Sequence, residues 1–259
     1  MKYFVMLVML AMVWGGNAHA AMKVETVEYR HGDTVLEGYM AYDDAFQGKR
    51  PGVLVVHEWW GQNDYVRKRA ERLARLGFVA FALDMYGKGK ATRDAKEAAQ
   101  WSGAFKADRK FGRARAAAGL DVLMKHPLVD GKRVAAIGYC FGGTVVLEMA
   151  RGGANLAGVA SFHGGLDAQN PAEPGSLKAK VLVLHGGDDP FVPQAQLAAF
   201  EDEMRKAGAD WQVHVYGGAV HAFTNPEADG FGLKGAAYNE NADRRSWEDM
   251  RVFLAEIFR

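Results

Sequence analysis

The sequence predicts an α/β protein in which a mostly parallel β-sheet is covered by helices on both faces. Most of its short apolar runs are continuous rather than alternating, which is typical of strands buried on both faces of a parallel sheet. Segments with helical periodicity separate these runs, as the crossover connections of a parallel sheet require. The chain of 259 residues contains no internal repeat and no long linker, so we expect one domain over residues 21–259.

The predicted strands follow one another from residue 24 to residue 216. The first two form an antiparallel pair around the turn His31-Gly32-Asp33, because glycine and aspartate favour tight turns. The eight runs cover residues 24–29, 35–42, 53–56, 78–83, 134–138, 158–162, 181–185 and 212–216. Binding crevices in such sheets lie at the carboxyl ends of the strands, so functional residues are expected where each run stops.

Helices are predicted from apolar stripes between and after these runs. The first stripe comprises Val66, Ala70, Leu73 and Ala74, and Gly77 is a natural stop for that helix. A second helix is expected over residues 144–150, directly after the fifth run. A third stripe near the end of the chain consists of Trp247, Met250, Leu254 and Ile257.

The first 20 residues have the pattern of a secretory signal peptide. Lys2 precedes an apolar run over residues 3–14, and the segment closes with the small-residue pattern Ala18-His19-Ala20. The run is shorter than the about 20 apolar residues that a membrane anchor needs. We therefore expect cleavage after Ala20 and a periplasmic or secreted protein without stable membrane insertion.

Charge and cysteine content limit the possible functions. Lys and Arg number 32 against 31 Asp and Glu, and this balance gives no indication of a nucleic-acid partner. The chain has one cysteine, Cys140, which can form no intramolecular disulfide. A lone cysteine is usually a small buried apolar residue, so its neighbours must decide its role.

The neighbours of Cys140 predict a nucleophile. The fifth run ends in Gly138-Tyr139-Cys140-Phe141-Gly142-Gly143, and a predicted helix follows. This is the strand–turn–helix context of the nucleophile elbow of the α/β-hydrolase fold, with cysteine in place of serine. Side chains two residues either side would collide with strand and helix, which explains the glycines. The amide groups at the helix start also favour a thiolate.

An acid and a base follow in the order that this fold requires. Two aspartates, Asp188 and Asp189, come after the seventh run, and spacing alone leaves both open as the acid. His221 comes after the last run in a glycine-containing loop, where the general base is expected. Cys140, one of the two aspartates and His221 therefore form a candidate triad.

The third run ends in His57-Glu58-Trp59-Trp60-Gly61. A zinc-protease helix would need a second histidine at position 61, where glycine stands, so no metal is expected. In this fold the loop supplies one oxyanion-hole amide, and the residue after the nucleophile supplies the other. We assign these amides to Trp59 and Phe141.

Together these motifs resemble the dienelactone hydrolase family, from about residue 24 to the C-terminus. The resemblance rests on Glu58, Asp84-Met85-Tyr86-Gly87, the Gly-x-Cys-x-Gly-Gly elbow, Gly-Gly-x-Asp-x-Phe-Val-Pro and the His-x-Phe at 221–223. It implies that Asp189, which precedes Pro190 and then Phe-Val-Pro, is the acid. It also implies that Glu58 contacts the resting thiol and helps to form the thiolate.

The chain departs from the family in two respects. The family's enzymes are cytoplasmic, whereas we expect this chain to be exported. They also clamp the substrate carboxylate with arginines, one of them four residues after the catalytic histidine, and that position is Asn225 here. We expect Asn225, Tyr86 and Tyr139 to line the substrate pocket, with packing in the core as the alternative for either tyrosine. A cation of the Lys- and Arg-rich segment 85–115 could replace the missing arginine, although a solvated helical face explains that charge equally well.

The sequence thus predicts a hydrolase that cleaves a small ester or lactone through a cysteine acyl-enzyme. A thioesterase or acyltransferase with the same triad, or a small-ligand binding protein without turnover, are the alternatives. No cofactor is implied. Substrate identity and oligomeric state stay open.

Overall fold

A computed structural model describes residues 21–259, and the predicted signal peptide lies outside the described residues. All eight strands belong to one sheet in the order β1-β2-β4-β3-β5-β6-β7-β8. The strands are β1 (Met22–His31), β2 (Thr34–Asp43), β3 (Arg50–Val56), β4 (Val79–Ala82), β5 (Val129–Tyr139), β6 (Gly158–Phe162), β7 (Lys180–Gly186) and β8 (Trp211–Tyr216). The predicted α/β class is confirmed.

The sheet changes direction between β2 and β4. Strands β1 and β2 form the predicted antiparallel hairpin, with Tyr29 opposite Leu36, and β2 pairs with β4 in the antiparallel sense. All pairs from β4 through β8 are parallel. The carboxyl ends of β3, β5, β7 and β8 therefore lie along the same edge of the sheet.

Six α-helices are found within residues 21–259. They are α1 (Asp64–Ala74), α2 (Ala95–Ala107), α3 (Arg109–Lys125), α4 (Phe141–Arg151), α5 (Gln194–Ala207) and α6 (Glu240–Ile257), and a 3₁₀ turn covers Ala228–Phe231. The predicted stop after α1 is confirmed, because Gly77 adopts φ 91° in the turn that follows the helix. None of the helices within residues 21–259 is long and apolar enough to cross a membrane.

The core consists of two apolar layers, one on each face of the sheet. Helices α2, α3, α4 and α5 contribute to one layer, and helices α1 and α6 contribute to the other. Successive residues of β3 alternate between them, with Leu54 in the first layer and Val53 in the second. Full coverage on both faces explains why the strands appear in the sequence as continuous apolar runs.

Candidate active site

Cys140 lies in a sharp turn between β5 and α4. Its backbone adopts φ 53° and ψ −115°, a left-handed conformation that is costly for a residue with a side chain. The flanking glycines make this turn possible. A Cβ atom on Gly138 would lie 2.0 Å from the carbonyl oxygen of Gly142, and one on Gly142 would lie 2.3 Å from that of Val56. Only glycine fits at either position.

Three side chains from three different strand ends meet in one hydrogen-bonded row. His221 Nε2 lies 3.0 Å from Cys140 Sγ, and His221 Nδ1 lies 2.8 Å from Asp189 Oδ2. Asp189 is buried, whereas Asp188 is exposed. The structure therefore brings Asp189, not Asp188, to the histidine, which the spacing in the sequence could not decide.

The surroundings of His221 favour its protonated form. Burial by itself lowers the pKa of this imidazole, but the neighbouring Cys140 sulfur and the hydrogen bonds to Asp189 and Cys140 raise the pKa to about 10. An imidazolium beside a cysteine stabilises the thiolate through charge attraction. Asp189 Oδ1 also accepts a hydrogen bond of 2.8 Å from the amide of Phe191, which fixes the carboxylate in place.

Two backbone amides next to Cys140 have no hydrogen-bond acceptor within residues 21–259. They belong to Trp59, in the loop after β3, and to Phe141, the first residue of α4. The first amides of a helix have no intrahelical acceptor, and they carry the positive end of the helix dipole. Neither of the two predicted oxyanion-hole amides therefore bonds to another described residue, and their role stays a prediction.

Glu58 occupies a buried position with an unexpected partner. Its Oε2 accepts a hydrogen bond of 2.6 Å from Asn225 Nδ2. The orientation of the Asn225 amide is fixed, because its Oδ1 accepts a hydrogen bond of 2.9 Å from the Glu227 amide. Burial raises the pKa of Glu58 to about 7, against the lowering effect of the Asn225 hydrogen bond.

The structure shows no hydrogen bond between Glu58 and the Cys140 thiol within residues 21–259, and the expected role of Glu58 in forming the thiolate stays a prediction. Among the described residues, the Cys140 side chain forms its hydrogen bond with His221, and Glu58 forms its own with Asn225. The physical reason is the distribution of donors: the amide of Asn225 satisfies the buried carboxylate, and the imidazole satisfies the sulfur.

His57, which precedes Glu58, has both ring nitrogens occupied. Nε2 accepts a hydrogen bond of 3.2 Å from the Met85 amide, so the proton lies on Nδ1 and is donated to the Glu58 carbonyl oxygen. Within residues 21–259, groups of three or more side chains suited to hold a metal ion were not found.

A cavity of about 540 Å³ opens above Cys140 and His221. Its wall is largely apolar, and two cations, Lys106 and Arg109, also reach it. Arg109 pairs with Asp167 at 2.7 Å. The apolar part of the wall consists of Trp59, Trp60, Phe141, Phe191, Val192, Ala222, Ala228, Phe231, Leu233 and Ala236.

Comparison with known sequences identifies the family of the chain. A sequence model described as "Dienelactone hydrolase family" matches residues 36–258. The chain belongs to the dienelactone hydrolase family.

Several members of the dienelactone hydrolase family and fold are similar to the chain. A dienelactone hydrolase-like promiscuous phosphotriesterase from metagenomic libraries is 44% identical with a TM-score of 0.89, and the match covers 92% of this chain and 100% of that one. A protein of Bradyrhizobium, named a probable 2-oxo-3-(5-oxofuran-2-ylidene)propanoate lactonase, is 29% identical over 80% of this chain and 84% of its own. The dienelactone hydrolase of Anabaena variabilis shares the fold, with 21% identity and a TM-score of 0.64, over 89% of this chain and 98% of that one.

Three residues of the chain were predicted to line the substrate pocket, and two of them lie behind the cavity wall. Tyr139 is fully buried and stacks on Phe162 with ring centroids 4.6 Å apart. The reason is strand alternation, since the last residue of β5 points into the layer that α1 and α6 cover. Tyr86 donates a hydrogen bond of 3.1 Å to the Trp59 carbonyl oxygen and supports that loop from behind. Asn225 does line the cavity.

The sequence did not reveal most of the residues that form the cavity wall opposite the triad. Lys106 and Arg109 come from the junction of α2 and α3, and Phe231 and Leu233 come from the segment after Asn225. The abundance of Lys and Arg in segment 85–115 was the only signal for the cations. Nothing in the sequence distinguished Phe231 from an ordinary core residue.

Proposed function

We propose that the chain is a cysteine-dependent hydrolase of small, uncharged carboxylic esters or lactones. The observation that carries the proposal is the row Cys140–His221–Asp189 at the floor of an apolar cavity, beside two unoccupied amides. A nucleophile within hydrogen-bond reach of a base that a third group orients is the arrangement that covalent catalysis requires. A purely structural cysteine has no need of a strained elbow or of an oriented base.

The first half of the proposed reaction forms an acyl-enzyme. The Cys140 thiol transfers its proton to His221 Nε2, and the thiolate forms a bond to the carbonyl carbon of the ester. The amides of Trp59 and Phe141 stabilise the charge that develops on the carbonyl oxygen. When the tetrahedral intermediate collapses, the carbon–oxygen bond to the leaving group breaks, and His221 protonates the departing alkoxide.

The second half releases the acid. His221 Nε2 takes a proton from water, and the hydroxide attacks the thioester carbonyl carbon. The carbon–sulfur bond then breaks, the acid departs, and the thiolate beside an imidazolium is restored. A thiolate leaves a tetrahedral intermediate more readily than an amine does, so amides should be poor substrates and activated esters good ones.

The part of the cavity wall around Asn225 supports an uncharged acyl group, whereas the cations Lys106 and Arg109 line the part at the junction of α2 and α3. Asn225 carries no charge, and its amide is occupied by Glu58 and Glu227. The aromatic rings of Trp59, Trp60 and Phe231 offer an apolar surface instead. Dienelactone carries a carboxylate, whereas 4-nitrophenyl acetate is uncharged. The ratio of the two turnover rates therefore measures how far asparagine in place of the family's arginine at position 225 changes selectivity.

A phosphotriester is a second candidate substrate class. The 44% identical relative is a promiscuous phosphotriesterase by name, and an uncharged phosphotriester suits the same apolar wall. Its phosphoryl oxygen would take the place of the ester carbonyl oxygen at the Trp59 and Phe141 amides. Release of 4-nitrophenol from diethyl 4-nitrophenyl phosphate tests this activity, with Cys140→Ala as the control.

The test of the hydrolase proposal uses protein beginning at residue 21. Hydrolysis of 4-nitrophenyl acetate is measured before and after iodoacetamide, and in Cys140→Ala. Loss of turnover in both samples supports a cysteine hydrolase. Full activity of Cys140→Ala rejects it, and the absence of turnover on any ester despite rapid alkylation of Cys140 favours a binding protein. Ester products formed in the presence of a competing alcohol would identify an acyltransferase.

We also propose that residues 1–20 direct export and are removed. The support is the order Lys2, apolar run, Ala18-His19-Ala20 in the sequence. The full-length chain is expressed in a bacterium, and the protein of the periplasmic fraction is sequenced from its N-terminus. A mature protein beginning at Ala21 is expected, and an uncleaved chain in the cytoplasm would contradict the proposal.

A further inference from the structure

A second histidine, His163, lies directly beneath the candidate triad. It follows β6, and only 1% of its surface is exposed. Its backbone has φ 39°, so it is one of three described non-glycine residues with a left-handed conformation, together with Cys140 and Ala222. Its ring centroid lies 5.3 Å from that of His221. A strained, buried histidine under a nucleophile needs a physical explanation.

The hydrogen bonds of His163 define its tautomer. The amide N–H of Cys140 donates to His163 Nδ1 at 3.1 Å and to the Phe162 carbonyl oxygen at 3.0 Å. Because an amide is always a donor, Nδ1 must carry the lone pair and Nε2 the proton. Nε2 then donates to Thr224 Oγ1 at 2.7 Å. The imidazole thus links the backbone of the nucleophile to a hydroxyl on the loop after His221.

Thr224 is itself held by buried groups. The Tyr65 hydroxyl lies 2.6 Å from Thr224 Oγ1. The Arg69 guanidinium donates to the Thr224 carbonyl oxygen and forms an ion pair of 2.8 Å with Asp243. Helices α1 and α6 therefore anchor Thr224, and Thr224 in turn fixes the ring of His163.

His163 is unsuited to act as a second base. Burial, with contributions from the neighbouring His221 and Arg69, lowers its pKa well below the usual value. Its only lone pair on the ring is occupied by the Cys140 amide. A neutral ring also avoids charge repulsion with the His221 imidazolium. What His163 can do is hold the Cys140 backbone.

We propose that His163 is a positioning residue that holds Cys140 in its strained conformation with Sγ aimed at His221, and that Thr224 keeps the His163 ring in the required orientation. This inference rests on the proposed role of Cys140 as nucleophile. Small displacements of a reacting atom cost rate rather than substrate binding, so His163 acts on kcat and not on KM.

Two substitutions at position 163 distinguish the contribution of the Nδ1 contact with Cys140 from that of the Nε2 contact with Thr224. His163→Asn places an amide oxygen near the position of Nδ1 and keeps an acceptor for the Cys140 N–H. His163→Gln places its amide near Nε2 and keeps only the contact with Thr224. With 4-nitrophenyl acetate we expect kcat of H163Q to fall on the order of tenfold or more, with KM within about twofold, and H163N to retain most activity.

A second pair of substitutions is made at Thr224. These variants keep His163 itself, so the residue with the strained backbone is not replaced. Thr224→Val removes the hydroxyl that holds the His163 ring in this orientation, and Thr224→Ser keeps it. We expect T224V to lower kcat several-fold and T224S to match the wild type. If H163Q fails to fold, T224V and T224S still test the positioning role of His163. Thermal unfolding of each variant shows whether it folds.

The pH profile of Cys140 alkylation by iodoacetamide distinguishes positioning from a merely structural role. Misplacement of Sγ from His221 should move the midpoint of alkylation to higher pH in H163Q and T224V, but not in H163N and T224S. The inference is overturned if H163Q and T224V keep the wild-type kcat and profile, or if H163N and T224S are impaired equally with them. Full activity of Cys140→Ala would instead reject the proposed nucleophile, while the alkylation profiles still report on His163.

Discussion

The two sides of the cavity are built by different forces. On the side that carries the candidate triad, called here the catalytic side and formed by the ends of β5, β7 and β8, hydrogen bonds of 2.8 to 3.0 Å and contacts that only glycine permits hold Cys140, His221 and Asp189 in place. On the opposite side, called here the apolar wall, Phe231 stacks on Trp60 with ring centroids 4.2 Å apart. An exposed ion pair between Arg93 and Glu227 adjoins the stack.

This difference indicates that one side of the cavity sets the reaction geometry and the other side binds the substrate. Hydrogen bonds are directional, so the catalytic side defines the geometry of the reaction. Apolar contacts are non-directional and surface ion pairs are weak, so the apolar wall can change its shape with little loss of stability. Substitutions on the catalytic side should therefore act on kcat, and those on the apolar wall should act on KM.

The largest effect is expected from the acid of the catalytic side. Asp189→Asn removes the charge that orients His221 and stabilises its protonated form, and kcat/KM should fall about 10²-fold or more. The exposed neighbour gives the control, since Asp188→Asn should stay within about twofold. Steady-state hydrolysis of 4-nitrophenyl acetate measures both. Equal effects at the two positions would remove the assignment of Asp189.

A smaller effect concerns the stability that Glu58 contributes. Its pKa is raised from 4.5 to about 7 in the folded state, so the unfolded chain releases the proton first as pH rises. The stabilisation is fully present below pH 4.5 and is lost as pH rises through 7. Relative to Glu58→Gln, the wild type should thus lose about 1 to 3 kcal/mol between pH 4.5 and pH 8.

Urea unfolding at several pH values measures this difference. Glu248→Gln, at an acid on α6 that pairs with Arg251 at the surface, is the control and should follow the wild-type curve. If the free energy of unfolding of E58Q runs parallel to that of the wild type across this range, the buried carboxyl does not titrate as described.

The smallest effect is expected on the apolar wall. Phe231→Ala removes the stack on Trp60 and the contact with Arg93, and it widens the cavity. We expect KM for aryl esters to rise several-fold with kcat within about twofold, because the hydrogen bonds around Cys140 do not change. Phe46→Ala, at an exposed phenylalanine, serves as control. A loss of kcat in F231A would break the distinction between the two sides.

The same difference explains what the sequence could predict. The elbow around Cys140 and the order of His221 after the acid are local patterns with strict steric and chemical requirements, and they identified the catalytic side. Spacing left both Asp188 and Asp189 open as the acid, the family resemblance favoured Asp189, and the structure places the side chain of Asp189 at His221. Residues such as Phe231 and Arg109 meet the cavity through tertiary packing, which leaves no local pattern.

Two expectations failed for reasons of packing, those that placed Tyr139 and Tyr86 in the cavity wall. Tyr139 precedes the nucleophile in the sequence, but alternation along β5 turns its ring into the core. Glu58, expected near the thiol, forms a hydrogen bond with Asn225, because a buried carboxylate binds the donor that its surroundings provide. Tertiary packing, and not spacing along the chain, determines where the Tyr139 ring lies and which donor binds Glu58.

The central claim, that Cys140 forms an acyl-enzyme, is tested most directly by trapping that intermediate. The protein is mixed with excess 4-nitrophenyl acetate, quenched in acid during the burst of 4-nitrophenol, digested and examined by mass spectrometry. We predict one acetyl group on the peptide that contains Cys140, and none on that peptide in Cys140→Ala. An acetyl group on another residue, or turnover by Cys140→Ala at the wild-type rate, would contradict the account.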